Sequence, residues 1–129
     1  MIQDLDSGKR GVRQTMAARV TYADDGADVP FPSLPAGTVL HACYRKVTEL
    51  FNDSGTDTLK VGTSSNDDSL CDTGDTTMTS TGYYTDVVAS STGVVLEAAT
   101  QFLARYDGQN GDASTGVVDV YIDVTICGV

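Results

Sequence analysis

The feature that most constrains the fold is the strict alternation of residues 118–126, VDVYIDVTI. One set of alternating positions is entirely β-branched: Val118, Val120, Ile122, Val124 and Ile126. The other set is polar or aromatic: Asp119, Tyr121, Asp123 and Thr125. This period of two predicts an antiparallel strand with one buried face and one face towards solvent. Because a strand needs partners to be stable, the rest of the chain is expected to supply the strands that pair with it.

Shorter strand-like segments precede this closing strand and are separated by turn sequences. The predicted strands are 19–23, 38–51, 58–61, 83–89, 94–99 and 101–106, and the last of these is expected to form a hairpin with the closing strand. Residues 98–101 are alternatively a bend. Residues 29–32, VPFP, must be extended because proline fixes φ, and they belong at a sheet edge. About seven or eight short strands predict an all-β fold, an antiparallel β-sandwich that is jelly-roll-like.

The long strand at 38–51 is the most irregular of these elements. Neither of its two faces is apolar throughout, which predicts a β-bulge near Tyr44 to Val47 or a departure of residues 49–51 from the sheet. The turn Asn52-Asp53-Ser54-Gly55 then leads to the next strand, so the two strands form a β-hairpin or a β-arch. Residues 63–82 follow as a surface excursion with at most one short strand.

Residues 1–18 lack strand periodicity and are expected to form an extended N-terminal arm, with a helical turn at 14–18. Residues 19–129 would then form a single β-sandwich domain, and removal of 1–18 should leave it folded. Residues 1–19 carry a net charge of +2, which suits either a solvated terminus or docking on a complementary protein surface. The candidate partner-binding cations are Lys9, Arg10, Arg13 and Arg19.

The remaining charge is strongly negative, since the whole chain has a formal net charge of -10. Clustered Lys and Arg are needed to bind phosphates, so nucleic acid and anionic lipid are not expected as partners. No apolar run approaches the roughly 20 residues of a membrane span. The first residues have no apolar central region, so we expect no secretory signal. We therefore expect the protein to be assembled in a cytoplasm.

The three cysteines do not form a recognisable framework. Cys43, Cys71 and Cys127 are odd in number and widely spaced, and none has metal-ligand spacing. Buried free thiols are the expectation, with a Cys127 bridge to Cys71 or Cys43 as the alternative.

Residues able to carry chemistry are few. His41 is the only histidine and no nucleophile turn or phosphate-binding glycine loop is present, so we expect no enzyme and no cofactor. His41 is expected to be packed or at an interface. The weak calcium candidates lie in the acidic loop: Asp67, Asp68, Asp72 and Asp75. Tyr121, opposite the apolar row of the closing strand, is the best exposed aromatic candidate for holding a protein or sugar.

Two segments, LPAGTVL at 34–40 and FNDSGTDTLKVGTSSNDD at 51–68, resemble small structural proteins of tailed bacteriophages. The resemblance implies a jelly-roll-like, non-enzymatic capsid decoration (cement) protein. It would bind the major capsid protein on the virion exterior, as a dimer or trimer of itself. The alternative is a tail- or fibre-associated module that binds a receptor or carbohydrate, although the absence of Trp weakens the carbohydrate reading.

Overall fold

Eight strands are formed in the part of the chain that the computed structural model describes, residues 11–73, 78–79, 81–85 and 95–127. They are β1 (Arg13–Thr21), β2 (Asp28–Pro30), β3 (Thr38–Glu49), β4 (Asp57–Gly62), β5 (Cys71–Thr73), β6 (Gly82–Thr85), β7 (Leu103–Gly108) and β8 (Val117–Ile126). A single 3-10 turn, Tyr22–Asp24, lies between β1 and β2. Within the described residues no helix is long and apolar enough to cross a membrane.

The strands form two four-stranded antiparallel sheets. Sheet A has the order β1-β8-β3-β6, and sheet B has the order β2-β7-β4-β5. The pairs β1·β8, β2·β7, β3·β6 and β4·β5 show that the chain folds back on itself at its middle and winds across both sheets. This is the jelly-roll arrangement. The predicted all-β, antiparallel, jelly-roll-like sandwich is therefore confirmed.

The closing strand behaves as its alternation predicts. Its apolar side chains, from Val118 to Ile126, are at most 1% exposed and face the core between the sheets. Its expected hairpin with 101–106 is wrong, because that strand is β7 and lies in sheet B. Strand β8, ten residues long, instead pairs with nine residues of β1 and ten of β3, whereas β7 has six residues and is too short to cover it.

The N-terminal strand begins at Arg13 rather than at Arg19, and the helical turn expected at 14–18 is wrong. Residues 13–21 pair with β8 along their whole length, and Met16 and Ala18 are buried in the core. Pairing with a long neighbouring strand overrides the favourable helix propensity of Met-Ala-Ala, because tertiary context outweighs intrinsic propensity. Residues 13–18 thus belong to sheet A, while residues 1–10 of the expected arm lie outside the described part. The division into arm and domain stays a prediction.

Strand β3 contains two irregularities, one before the expected segment 44–47 and one at its end, and residues 50–51 leave the sheet, as the alternative in part predicted. Its register with β8 shifts between Leu40 and Ala42 and again between Val47 and Glu49. The shift at His41 changes which side chains face inwards, from Thr38 and Leu40 to Cys43, Arg45 and Val47. The bulges therefore flank the segment 44–47 instead of lying in it. Because β3 is in sheet A and β4 in sheet B, the connection between them is the arch, not the hairpin.

The remaining segments follow the predictions in part. Proline-containing β2 lies at the edge of sheet B, as expected. Where the excursion at 63–82 is described, it contains one short strand, β5, and buries Leu70, Cys71 and Met78. Of the strand expected at 94–99, the described residues 95–99 form one bridge between Val95 and Val39, followed by a bend. The three thiols are free, Cys43 and Cys71 buried, but Cys127 is exposed, contrary to the expectation of burial.

Candidate docking face

The outer face of sheet A brings together polar and aromatic side chains from its three longest strands. Antiparallel register places them in rows across the sheet, for example Arg19, Asp119 and Lys46 in one row and Ala17, Tyr121 and Tyr44 in the next. We call this surface the docking face and define it as Arg13, Thr15, Arg19, Val39, His41, Tyr44, Lys46, Asp119, Tyr121, Asp123 and Thr125.

Two stacked tyrosines form the centre of the docking face. The rings of Tyr44 and Tyr121 lie 5.2 Å apart between centroids, with 23° between their planes. Ala17, the partner of Tyr121 on β1, is 2% exposed although it points outwards, so the centre of the face is closed over. Burial, and then the charge of Asp123, raises the pKa of Tyr44. Tyr121 therefore points outwards as predicted, but it is half-buried in a stack rather than freely exposed.

Both described arginines of the predicted partner-binding set lie on this face, one on each side of the tyrosines along β1. Arg13 Nη2 donates to Asp123 Oδ2 at 3.0 Å. Arg19 donates to both oxygens of Asp119, from Nε at 2.9 Å and from Nη2 at 3.0 Å. The hydrogen bond and charge of Asp119 raise the pKa of Arg19. The Arg13 and Arg19 side chains remain 57% and 47% exposed, so solvent screens each ion pair, but each pair fixes the direction of a guanidinium.

Hydroxyl groups complete the network. Thr15 Oγ1 donates to Asp123 Oδ1 at 2.6 Å. His41 Nε2 lies 2.6 Å from Thr125 Oγ1, so the histidine is packed on the face, as expected. Several donors and acceptors of the face are thus held in place before any partner arrives.

The charge of the docking face differs from that of the whole molecule. It carries three cations, Arg13, Arg19 and Lys46, against two carboxylates, whereas the chain has a net charge of -10. Tyrosine and arginine are the side chains enriched where proteins dock on each other. Such a surface is suited to a flat, mixed-polarity protein partner and would not repel an acidic one.

The sequence indicated some of these residues and missed others. Arg13, Arg19 and Tyr121 are brought together, while Lys9 and Arg10 lie outside the described residues. Asp119 and Asp123 were visible as the polar side of the closing strand. Tyr44 was missed because the bulge at His41 conceals which face of β3 it occupies.

The calcium candidates do not form a site where they are described. Asp67 is exposed and its Oδ2 lies 3.8 Å from Lys60 Nζ. Within the described residues no group of three or more His, Cys, Asp and Glu side chains could hold a metal ion. Asp75 and the side chain of Asp72 lie outside that description, so calcium binding there stays a prediction.

Comparison with known proteins gives a similarity of fold to a solved structure. No protein-family model matches the chain, and no curated protein matches it. A chain in the solved structure described as "Cyanophage Pam1 capsid asymmetric unit" is similar, with a TM-score of 0.65 and 15% sequence identity. The match covers 98% of this chain and 93% of that chain. This protein therefore shares its fold, over nearly its whole length, with a chain found in a cyanophage capsid.

Proposed function

We propose that this protein is a structural component of a bacteriophage capsid, and specifically a decoration (cement) protein that binds the lattice of the major capsid protein. The observation that carries the proposal is the end-to-end match to a capsid chain: 98% and 93% coverage means that the two chains have similar lengths and that neither needs an additional domain for the comparison. The resemblance of residues 34–68 to small phage structural proteins supports the same assignment independently.

The docking face is the surface that we assign to the capsid contact. Its stacked tyrosines supply rigid apolar area, and its arginines are held by Asp119 and Asp123, so little side-chain freedom is lost on binding. Lys9 and Arg10 extend the contact onto a neighbouring subunit. Self-association as a dimer or trimer, together with the repeated lattice, would convert weak individual contacts into stable attachment.

The remainder of the molecule fits an exterior position on the virion. The chain outside the docking face carries the excess of carboxylates, which keeps a crowded particle surface soluble. Assembly onto the head would take place in the host cytoplasm. The role requires no catalysis, no cofactor, no nucleic acid and no membrane.

Copy number in purified virions tests the proposal. Quantitative mass spectrometry against the major capsid protein should give a number of copies comparable to that of the coat subunits. A handful of copies per particle would place the protein at the tail, the portal or a fibre and would overturn the decoration role. Complete absence from the particle would overturn the structural role altogether.

Substitution of Tyr121 tests the assigned surface. Tyr121→Ala removes half of the aromatic stack and should weaken binding to particles that lack the protein by about tenfold or more, the range of an interface hot spot. Thr58→Ala is the matched control, because Thr58 lies on the outer face of sheet B. Equal binding of the two folded variants, measured by co-sedimentation, would move the contact elsewhere.

A further inference from the structure

A polar cleft lies on sheet B, between the loop that follows β4 and the segment that leads into β7. It consists of two adjoining cavities of about 300 Å³ and 150 Å³ that share Thr63, Ser64 and Leu103. The larger cavity adds Ser65, Thr100 and Gln101, and the smaller one adds Asp28, Asp67 and Arg105. Apart from Ala99 and Leu103, the side chains described in its lining are hydroxyl, amide or charged groups.

The loop that follows β4 forms the first wall of the cleft, and contacts within the chain hold it in place without a ligand. At Gly62 an added Cβ would lie 2.2 Å from the carbonyl oxygen of Asn66, so glycine is required for the loop to fold back here. Thr63 N donates to Asn66 O at 2.9 Å, and Asn66 N donates to Thr63 Oγ1 at 3.1 Å. These bonds fix the loop in front of β4 and leave the Ser64 side chain exposed at the cleft.

The opposite wall and the floor are held in the same way. Thr100 forms a two-bond bridge with Leu34, and Gln101 Nε2 donates to Phe31 O at 3.0 Å. Arg105 Nε donates to both oxygens of Asp107 at 3.2 Å, and its Nη1 lies 3.8 Å from Asp28 Oδ1. The Gln101 and Arg105 side chains therefore have fixed directions before a ligand binds, which lowers the entropy lost on binding.

We propose that this cleft binds a neutral saccharide. Paired carboxylate, hydroxyl, amide and guanidinium groups within one cleft match the alternating donors and acceptors of sugar hydroxyls. An anionic ligand is disfavoured, because Asp28, Asp67 and Asp107 outnumber Lys60 and Arg105 here and the chain is acidic as a whole. The cleft lacks an aromatic platform among its described lining residues, so a single site binds weakly.

The cleft and the docking face lie on different sheets, which would allow both to be used on one particle. Sheets A and B turn their outer faces in opposite directions, so the cleft stays open when the docking face is covered. Many copies on one particle would multiply a weak affinity for glycans on a cell surface. The binding event itself does not depend on the capsid role and can be measured on the isolated protein.

A solution titration tests the proposal. Backbone amide spectra of the ¹⁵N-labelled chain are recorded with lactose, mannobiose, chitobiose and the anionic sialyllactose. The neutral sugars should shift the amides of residues 63–67 and 100–103 with millimolar dissociation constants. Absence of shifts with every neutral sugar, shifts confined to other parts of the chain, or a preference for sialyllactose over lactose would overturn it.

Matched variants locate the site. Asp67→Asn combined with Ser64→Ala removes one carboxylate and one hydroxyl from the cleft and should weaken binding at least tenfold. Asp68→Asn makes the same charge change one residue further along the loop, outside the cleft lining, and should bind as the natural chain does. Equal affinity of the two variants, with both folded by their amide spectra, would contradict the proposal.

Discussion

Asp53 shows how much of this fold can depend on a single carboxylate. Its Oδ1 accepts hydrogen bonds from the backbone N–H groups of Gly55 at 2.7 Å and Asn110 at 3.0 Å, and its Oδ2 accepts one from Asp112 at 3.0 Å. Burial by itself raises the pKa of Asp53, but these donors stabilise the charged form more strongly, so the pKa is lowered overall. One side chain thus joins the β3–β4 arch to the β7–β8 connection.

The stabilisation that Asp53 provides should depend on pH. A carboxyl with a lowered folded-state pKa stabilises the fold above its unfolded pKa of about 3.9, and this contribution is lost as the pH falls through the folded value. Asp53→Asn should therefore lower the urea midpoint at neutral pH, and its difference from the natural chain should shrink in acid. Asp28→Asn, at an exposed carboxylate, is the control. A difference that stays constant into strong acid would contradict this role.

At the scale of elements, the connection between β7 and β8 depends on a close approach of backbone to ring. Gly116 has a φ of 142°, and a Cβ added there would lie 2.3 Å from Phe51 Cδ2. Its N–H donates to Glu49 Oε1 at 2.9 Å, which ties the start of β8 to the end of β3. Only glycine satisfies both the positive φ and the contact.

Two alanine substitutions separate the effect of the positive φ from that of the contact with Phe51. Gly116→Ala should reduce the free energy of unfolding by about 2–5 kcal/mol, since backbone strain and overpacking add. Gly111 also has a positive φ, of 66°, but a Cβ added there would lie in open space. Gly111→Ala should therefore reduce the free energy of unfolding by about 1–2 kcal/mol, through backbone strain alone. Denaturant unfolding of both variants would measure the difference, and equal losses would show that the Phe51 contact relaxes freely.

Strand β1 gives a second prediction at this scale. A deletion that ends at residue 10 leaves β1 whole and should preserve the fold. A deletion that ends at residue 18, which from sequence alone was expected to leave the domain folded, instead removes Met16 and Ala18 from the core. Loss of one buried Met side chain already costs about 2–5 kcal/mol, so the longer deletion should unfold or melt at a much lower temperature. Thermal melts of both chains decide the matter, and similar melting temperatures would mean that β1 is dispensable.

The strands themselves were largely predictable from local patterns, but their partners were not. The alternation at 118–126 and the prolines at 30 and 32 identify a half-buried strand and a sheet edge because these patterns reflect burial and backbone geometry directly. Met16-Ala17-Ala18 has no such pattern, and its strand exists because β8 lies beside it. Local sequence carries little information about a neighbour that lies about a hundred residues away.

The candidate docking face was predictable only in fragments for the same reason. Tyr121, Asp119 and Asp123 share one side of a recognisable strand. Their contacts with Tyr44, Arg19 and Arg13 depend on the register of three strands and on the bulge at His41. A one-residue change of register would turn Tyr44 inwards. The face is therefore a property of the assembled sheet.

For the whole molecule, the three thiols provide a test of cooperativity. Cys127 is exposed, whereas Cys43 and Cys71 are buried in β3 and β5, on different sheets. A thiol reagent should therefore modify one cysteine per folded chain, and all three in denaturant, because burial denies the reagent access. The two buried thiols should react at the same rate if the sandwich opens as one unit. Faster reaction of Cys71 would show that the β5 edge opens by itself.

The pairing of β1 with β8 has a consequence for the way the protein is made. Sheet A cannot form until β8 has been synthesised, because β8 lies between β1 and β3 and is the last of the described strands along the chain. Until then the apolar faces of β1 and β3 remain without their central partner. Contacts between such distant segments also make folding slow. The emerging chain is therefore exposed to aggregation, and rapid translation of the codons between β3 and the end of β8 would shorten that period.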